Sequence, residues 1–358
     1  MKSDFLDASG LNFNTLDEFV SYIENDVDFD DDVDGRLSII GAVSDYESIE
    51  AFTESLEDHF EVLKPLGSVL LLSAKSNTTP YYVYLDDTFP LFFTTGTITE
   101  DLPQSIGNYI TKKRNLSRLW ISKYQMERLR KILVSDFSDL LMPEFTASRS
   151  PYSELPARRR PGRKRTIRYW GDDGLETYRE MQHDYGVLPT NIKLEQPGLF
   201  KFVVKQKGIF TRHDGRISEP IQLIRETWEH LRKVKNVVDT SGFESVDSNL
   251  IEGHKIPHSR PWAIQLDEQL THEDVRNFKN NIQQDDLEFS LSEWDPNRQI
   301  PRFEAEVVDD QNYGRVDLRS KSNSIRVYPH ETTDFDHNIR IFNVVSDHID
   351  PNCQPVEV

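Results

Sequence analysis

The chain has 358 residues, a formal net charge of −19, 37% hydrophobic and 11% aromatic residues. That apolar content excludes general disorder, and the length exceeds the roughly 250–300 residues at which one core stops growing, so more than one structural unit is expected. Cys353 is the only cysteine, which excludes an intrachain disulfide framework or a Cys-based zinc site, and no run approaches the ~20 apolar residues of a membrane span, so a soluble, cytoplasmic protein with no membrane partner is expected.

In chain order, Leu16, Phe19, Val20 and Ile23 recur at helical spacing behind Asn14-Thr15, with Asp17 and Glu18 in the first turn. An N-terminal helix and an acidic loop therefore occupy 1–34. The first α+β unit, 35–147, reads as a strand at 37–43, a helix through Ile49, Phe52, Leu56 and Phe60, strands at 62–74, 81–85, 89–95 and 119–121, and a basic helix through Met126, Leu129, Ile132 and Leu133. A basic Pro/Arg linker spans 148–165. The second unit, 166–240, reads as a strand at 166–170, a helix at 174–185, strands at 192–195, 199–206 and 208–212, and a helix at 220–238. After a linker at 241–260, the third unit, 261–350, opens with a strand at 262–265 and a helix at 271–284 capped by Thr271. Strands at 287–291, 302–308, 314–318 and 324–328 follow, then a closing apolar segment at 341–349 and a tail at 351–358.

The fold class expected is α+β, with three tandem strand-helix-antiparallel meander-helix units, each a sheet carrying helices on one face. That element order resembles the unit of TATA-binding protein and its relatives, and that of ferredoxin-like RNA-binding modules. The resemblance lies in element order; the aromatic and basic signature of an RNA-recognition module is absent, with Lys205-Gln206-Lys207-Gly208-Ile209-Phe210 a distant echo.

Charge is segregated along the chain. Residues 1–103 hold 4 Lys/Arg against 22 Asp/Glu, residues 104–235 hold 27 against 15, and residues 236–358 hold 11 against 24. A local field outweighs a global one within a Debye length of roughly 8–10 Å, so the middle can attract an anion that the whole chain repels. Carboxylate excess with 25 Arg against 17 Lys also fits a salt-rich, halophilic cytoplasm, where simple phosphate binding weakens.

Arg158, Arg159, Arg160, Arg163, Lys164, Arg165 and Arg168 place seven cations in eleven residues, among Pro151, Pro156 and Pro161. Such density favours an extended arm by self-repulsion, and Pro161-Gly162-Arg163 resembles an AT-hook, whose arginines enter a narrow minor groove. Lys112, Lys113, Arg114 and Arg118 precede the arm, and Tyr169 and Trp170 follow as candidate stacking rings. Lys201, Lys205 and Lys207 fall at even intervals and are expected as a ladder on one strand face, beside Lys193. A solvated lysine-bearing sheet face that discourages edge pairing is the plainer reading of that ladder.

Asp30, Asp32, Asp34 and Gly35 open like an EF-hand loop, but Gly41 stands where the bidentate Glu belongs, which leaves a weak divalent-cation site or simply an acidic loop. His254 and His258, and the group His330, Glu331, Asp334, Asp336, His337, Asp347 and His348, are metal-capable only if three or more converge. No Walker loop, G-x-S-x-G, H-E-x-x-H or G-x-G-x-x-G is present, so no cofactor is expected. The function expected is nucleic-acid binding without catalysis, through the central arm and adjacent basic surface. One alternative is a protein-interaction or self-assembly component, in which the arm meets an acidic protein surface or copies form a homo-oligomer. Another is a metal-dependent nuclease built on Glu304, Glu306, Asp309 and Lys321.

Overall fold

The computed structural model describes residues 10–27, 36–153, 155–247, 255–283, 288–297, 299–311 and 313–358. Two compact units emerge, one made of Met1–Ser148, Thr166–Gln182 and Leu188–Trp228, the other of Arg149–Arg165, His183–Val187 and Glu229–Val358.

The first unit begins with α1 (Leu16–Asp26), which buries Leu16, Phe19, Val20 and Ile23, and whose Thr15 cap accepts the Glu18 N–H at 3.2 Å. β1 (Leu37–Ser44) is buried throughout, as a mostly apolar run with sheet neighbours on both sides requires, and its Ser38 hydroxyl lies 3.4 Å from that of Thr211. α2 (Ile49–Leu56), β2 (Phe60–Pro65), β3 (Val69–Ala74), β4 (Pro80–Tyr84) and β5 (Leu91–Thr94) follow. The apolar run at 62–74 is thus a hairpin rather than one strand. It turns at Gly67, whose φ is +76°, and a Cβ there would stand 2.3 Å from the Phe13 carbonyl oxygen. Next come α3 (Asp101–Gln104), α4 (Ile106–Lys112), β6 (Leu116–Arg118), α5 (Lys123–Asp136), β7 (Leu141–Arg149), β8 (Arg165–Trp170), α6 (Gly174–Tyr185), β9 (Leu188–Gln196), β10 (Phe200–Lys205), β11 (Ile209–Gly215) and α7 (Ser218–Val238), of which Arg149, Arg165, the end of α6 from His183 and the half of α7 from Glu229 fall in the second unit.

These strands form an eleven-stranded sheet in the order β2-β3-β4-β5-β1-β11-β10-β9-β7-β8, with β6 also paired to β1. The pairings described between these strands are antiparallel, and β1 joins β11 through Ile39 opposite Phe210 and Ile40 opposite Ile209. Strands read from sequence as belonging to the first and second units therefore share one sheet. Helices also lie on both of its faces, not on one. Phe92 packs against Phe52 of α2 with ring centroids 6.4 Å apart, while its neighbour Phe93, which faces the other way, meets Phe19 of α1 at 5.0 Å. The reason is that β1, β3, β4 and β5 are buried on both sides and require cover on both, whereas the edge strand β2 alternates.

The second unit contains the antiparallel pair β12 (Gly242–Asp247) and β13 (Lys255–Arg260), in the stretch read from sequence as a linker. It continues with β14 (Trp262–Gln265), α8 (His272–Ile282), β15 (Phe289–Asn297), β16 (Arg302–Asp309), β17 (Arg315–Lys321), β18 (Ser324–Pro329), α9 (Phe335–His348) and β19 (Gln354–Glu357). The six-stranded sheet runs β15-β16-β17-β18-β14-β19, so the expected C-terminal tail supplies an edge strand, with Val356 opposite Ala263. Helices α8 and α9 both pack on its core face. Phe278 of α8 stacks on Phe303 at 4.9 Å, and the Trp262 indole N–H donates to Asn338 Oδ1 of α9 at 2.8 Å. Along β16, Phe303, Ala305 and Val307 point into that core, and Arg302, Glu304 and Glu306 point out of it.

Candidate nucleic-acid interface

The basic segment is a folded loop, not an extended arm. Its organiser is Arg149, only 5% exposed, whose guanidinium donates to the carbonyls of Ser153 at 2.8 Å, Leu155 at 2.8 Å, Pro161 at 3.0 Å and Gly186 at 3.1 Å. Four bonds from one planar fork offset the self-repulsion that favoured an extended chain. The Arg159 N–H donates to the Asp184 carbonyl at 2.8 Å, and its side-chain Nε lies 3.1 Å from Asp184 Oδ2. Arg165 sets its guanidinium over the Tyr185 ring, 3.9 Å from the centroid. Arg158, Arg160, Arg163 and Lys164 are exposed, and among the described residues no carboxylate pairs with them. Arg160 holds a left-handed backbone, φ +49°, at the crest of the loop.

In the first unit, β8 alternates. Arg168 and Trp170 are on its exposed face, Trp170 64% exposed, while Tyr169 turns inward. The Tyr169 ring stacks on Phe145 at 5.4 Å and its hydroxyl donates to Asp173, so Tyr169 is a packing residue and Trp170 the open ring. Lys112 ends α4 and is exposed, as is Arg114, whereas Lys113 is ion-paired to Asp58.

The expected lysine ladder is mixed in character. Lys201 sits opposite Glu195 and pairs with it at 2.6 Å. Lys205 is half-buried, and burial lowers its pKa against the nearby Glu144. Lys207 lies beyond the end of β10, in the turn before β11, with its ammonium 5.8 Å from the Trp120 ring centroid. It is therefore no rung of the ladder, because the strand ends at Lys205. His213, on β11, has its pKa pushed down to about 4, first by burial and then by Lys193, Arg36 and Lys201.

The nuclease constellation does not assemble. Glu304 and Glu306 share the open face of the second sheet, but Asp309 is on the core face, 0% exposed and ion-paired with Arg340. An odd separation along one strand forces that division. His337 is equally buried, with Nδ1 2.5 Å from Asp334 Oδ1 and Nε2 3.4 Å from Asp309 Oδ2. Its walls are closed: a Cβ on Gly314 would stand 2.2 Å from Nε2. Together His337, Asp334, Asp309 and Arg340 form a network inside the core. His330 pairs instead with Asp317 at 3.3 Å, and among the described residues no group of three His, Cys, Asp or Glu is poised for a metal ion. Asp30, Asp32, Asp34 and His254 lie outside the described residues. The sequence reading also passed over Arg302, Arg319 and Arg326. They lie far apart in sequence, and strand parity becomes a signal only once the register is known.

Comparison with known proteins adds little chemistry. A family model described as AF_0896_M family middle domain matches residues 124–207, a stretch from α5 to the turn after β10 that includes the whole basic loop. The chain is 24% identical over 353 residues, 95% of each sequence, to an uncharacterized protein of Archaeoglobus fulgidus. No solved structure matches. Among the described residues, no helix is long and apolar enough to cross a membrane.

Proposed function

We propose that this protein binds nucleic acid, with Arg158, Arg160, Arg163 and Lys164 as its phosphate contacts and without catalysis. The observation that carries the reading is the pinned loop. Four exposed cations without carboxylate partners among the described residues are presented on a backbone fixed by the buried Arg149. Preorganisation lowers the entropy lost on binding, and each neutralised phosphate releases counterions. A fixed loop also suits the salt-rich cytoplasm that the carboxylate excess suggests, where a flexible polycation binds weakly. Minor-groove entry in the manner of an AT-hook is set aside, because the loop is folded; backbone phosphates are its target. Separately, in the first unit, β8 exposes Arg168 and Trp170, a cation and a ring of the kind that meet a phosphate and a base.

The test is fluorescence anisotropy with labelled duplex and single-stranded oligonucleotides across a salt series. Four phosphate contacts predict a log–log slope near −3.6 on duplex, from about −0.9 per contact. Replacing the four cations by Gln should abolish the salt-sensitive binding. Unchanged affinity in that variant, or no binding by the intact chain at low salt, overturns the proposal. Salt-dissolved self-association without nucleic acid would favour the assembly reading and a homo-oligomer.

A further inference from the structure

The face of the second sheet turned away from α8 and α9 carries a concentration of cations at one end. Arg319 on β17 stands directly opposite Arg326 on β18 and opposite Glu304 on β16. Two residues along the same strands, Lys321 and Arg302 share that face, as does Tyr328. Together they line a pocket of about 620 Å³ whose carboxylates, among the described residues, are Asp295 and Glu304. Elsewhere on this face carboxylates predominate, Glu293, Glu306 and Asp317 standing opposite one another, with Arg315 paired to Glu306 at 3.3 Å and His330 to Asp317 at 3.3 Å. At the pocket they do not. Glu304 reaches Arg319 at a long 3.8 Å, and among the described residues no carboxylate pairs with Arg302, Lys321 or Arg326. The Arg319 guanidinium lies 5.0 Å from the Tyr328 ring centroid, which fixes its plane.

Like charges directly opposite on neighbouring strands destabilise a sheet. An Arg–Arg cross-strand pair flanked by two more cations, in a chain of net charge −19, therefore has a cost that a bound anion would remove. We propose that this pocket binds a compact polyphosphate, of the nucleoside triphosphate class. Three guanidinium forks and an ammonium match several phosphate oxygens at once. With strands ~4.8 Å apart and same-face residues ~7 Å apart, the four cations cover roughly 10 by 7 Å. That area suits one triphosphate, and the volume lies in the range of small-ligand pockets, about 300–1,000 Å³. A polynucleotide would need a basic track continuing along the face, but Glu306 and Asp317 lie on that path. The site is independent of the basic loop.

Titration calorimetry of the full chain at fixed ionic strength, with tripolyphosphate, ATP and inorganic phosphate as probes, tests it. The expected result is saturable, one-to-one binding of tripolyphosphate and ATP, each at least tenfold tighter than inorganic phosphate. The combined Arg302→Gln, Lys321→Gln and Arg326→Gln variant should weaken it at least tenfold, and Arg326→Lys alone far less. In the ligand-free state Arg326→Gln should raise Tm by relieving the pair with Arg319, which separates lost binding from lost folding. Replacing the cations of the 158–164 loop should leave tripolyphosphate binding intact, so the two proposals fail separately. No binding by the intact chain, equal binding by the triple variant, or affinity that grows with oligonucleotide length overturns the inference.

Discussion

Arg149→Met removes the fork that holds the basic loop while keeping most of the side-chain volume. Of its four acceptors, the Gly186 carbonyl is fully buried with it, and those of Ser153, Leu155 and Pro161 are partly solvated. A bond from a charged donor contributes about 1.5–3 kcal/mol when buried and less when water can replace it, so the loss sums to roughly 3–5 kcal/mol. The loop can escape part of that by opening, which makes local exposure the sensitive readout. It contains five trypsin sites, Arg158, Arg159, Arg163, Lys164 and Arg165, since Pro161 blocks cleavage after Arg160. When opening and closing are fast relative to cleavage, the rate follows the open population, and 3 kcal/mol corresponds to roughly a hundredfold faster cleavage. Limited trypsinolysis followed by intact-mass spectrometry measures it. Equal cleavage rates at 158–165 in the two proteins, with equal urea midpoints, would refute the view that Arg149 orders the loop. Nucleic-acid affinity of the same variant should fall although every phosphate-contacting cation is retained.

Two further outcomes follow from buried charge. Glu127 accepts from Arg130 at 2.7 and 2.8 Å and from the Tyr178 hydroxyl at 2.9 Å; burial opposes its charge, but these bonds outweigh it and hold its pKa below the ordinary carboxylate value. Glu127→Ala leaves a buried guanidinium and hydroxyl without their acceptor and should cost about 3–5 kcal/mol by urea unfolding, with part of the loss recovered in Glu127→Ala/Arg130→Met. His213 has its folded pKa near 4, below the ordinary 6.5, so the unfolded chain binds the extra proton between those values. Stability should therefore fall as pH drops from about 6.5 towards 4, and His213→Asn should flatten that slope; equal slopes in the two proteins would remove His213 from the account.

Local features of this chain are written in its sequence. Thr15 and Thr271 mark helix starts because a side-chain oxygen serves N–H groups three residues away, and the apolar spacing of α1 reports the face it buries. In β8 the sequence offered Tyr169 and Trp170 together as stacking rings, and it is the observed burial that separates them. Strands with weak local signals were less visible. β7 contains Pro143 and ends inside the basic linker, and β19 is four residues of tail that hold only because β14 offers an edge. Tertiary structure alone decided the rest. Pairing of β1 with β11 merges two apparent units into one sheet, since periodicity gives the face of a strand and never its neighbour. The basic loop shows the same division. Its composition specifies cations and their repulsion, but whether they extend or fold depended on one buried arginine meeting four carbonyls, Gly186 among them, a contact between residues 37 apart in the chain. Likewise Arg302, Arg319 and Arg326 became one site only through strand register, which hydrogen bonds between distant segments set.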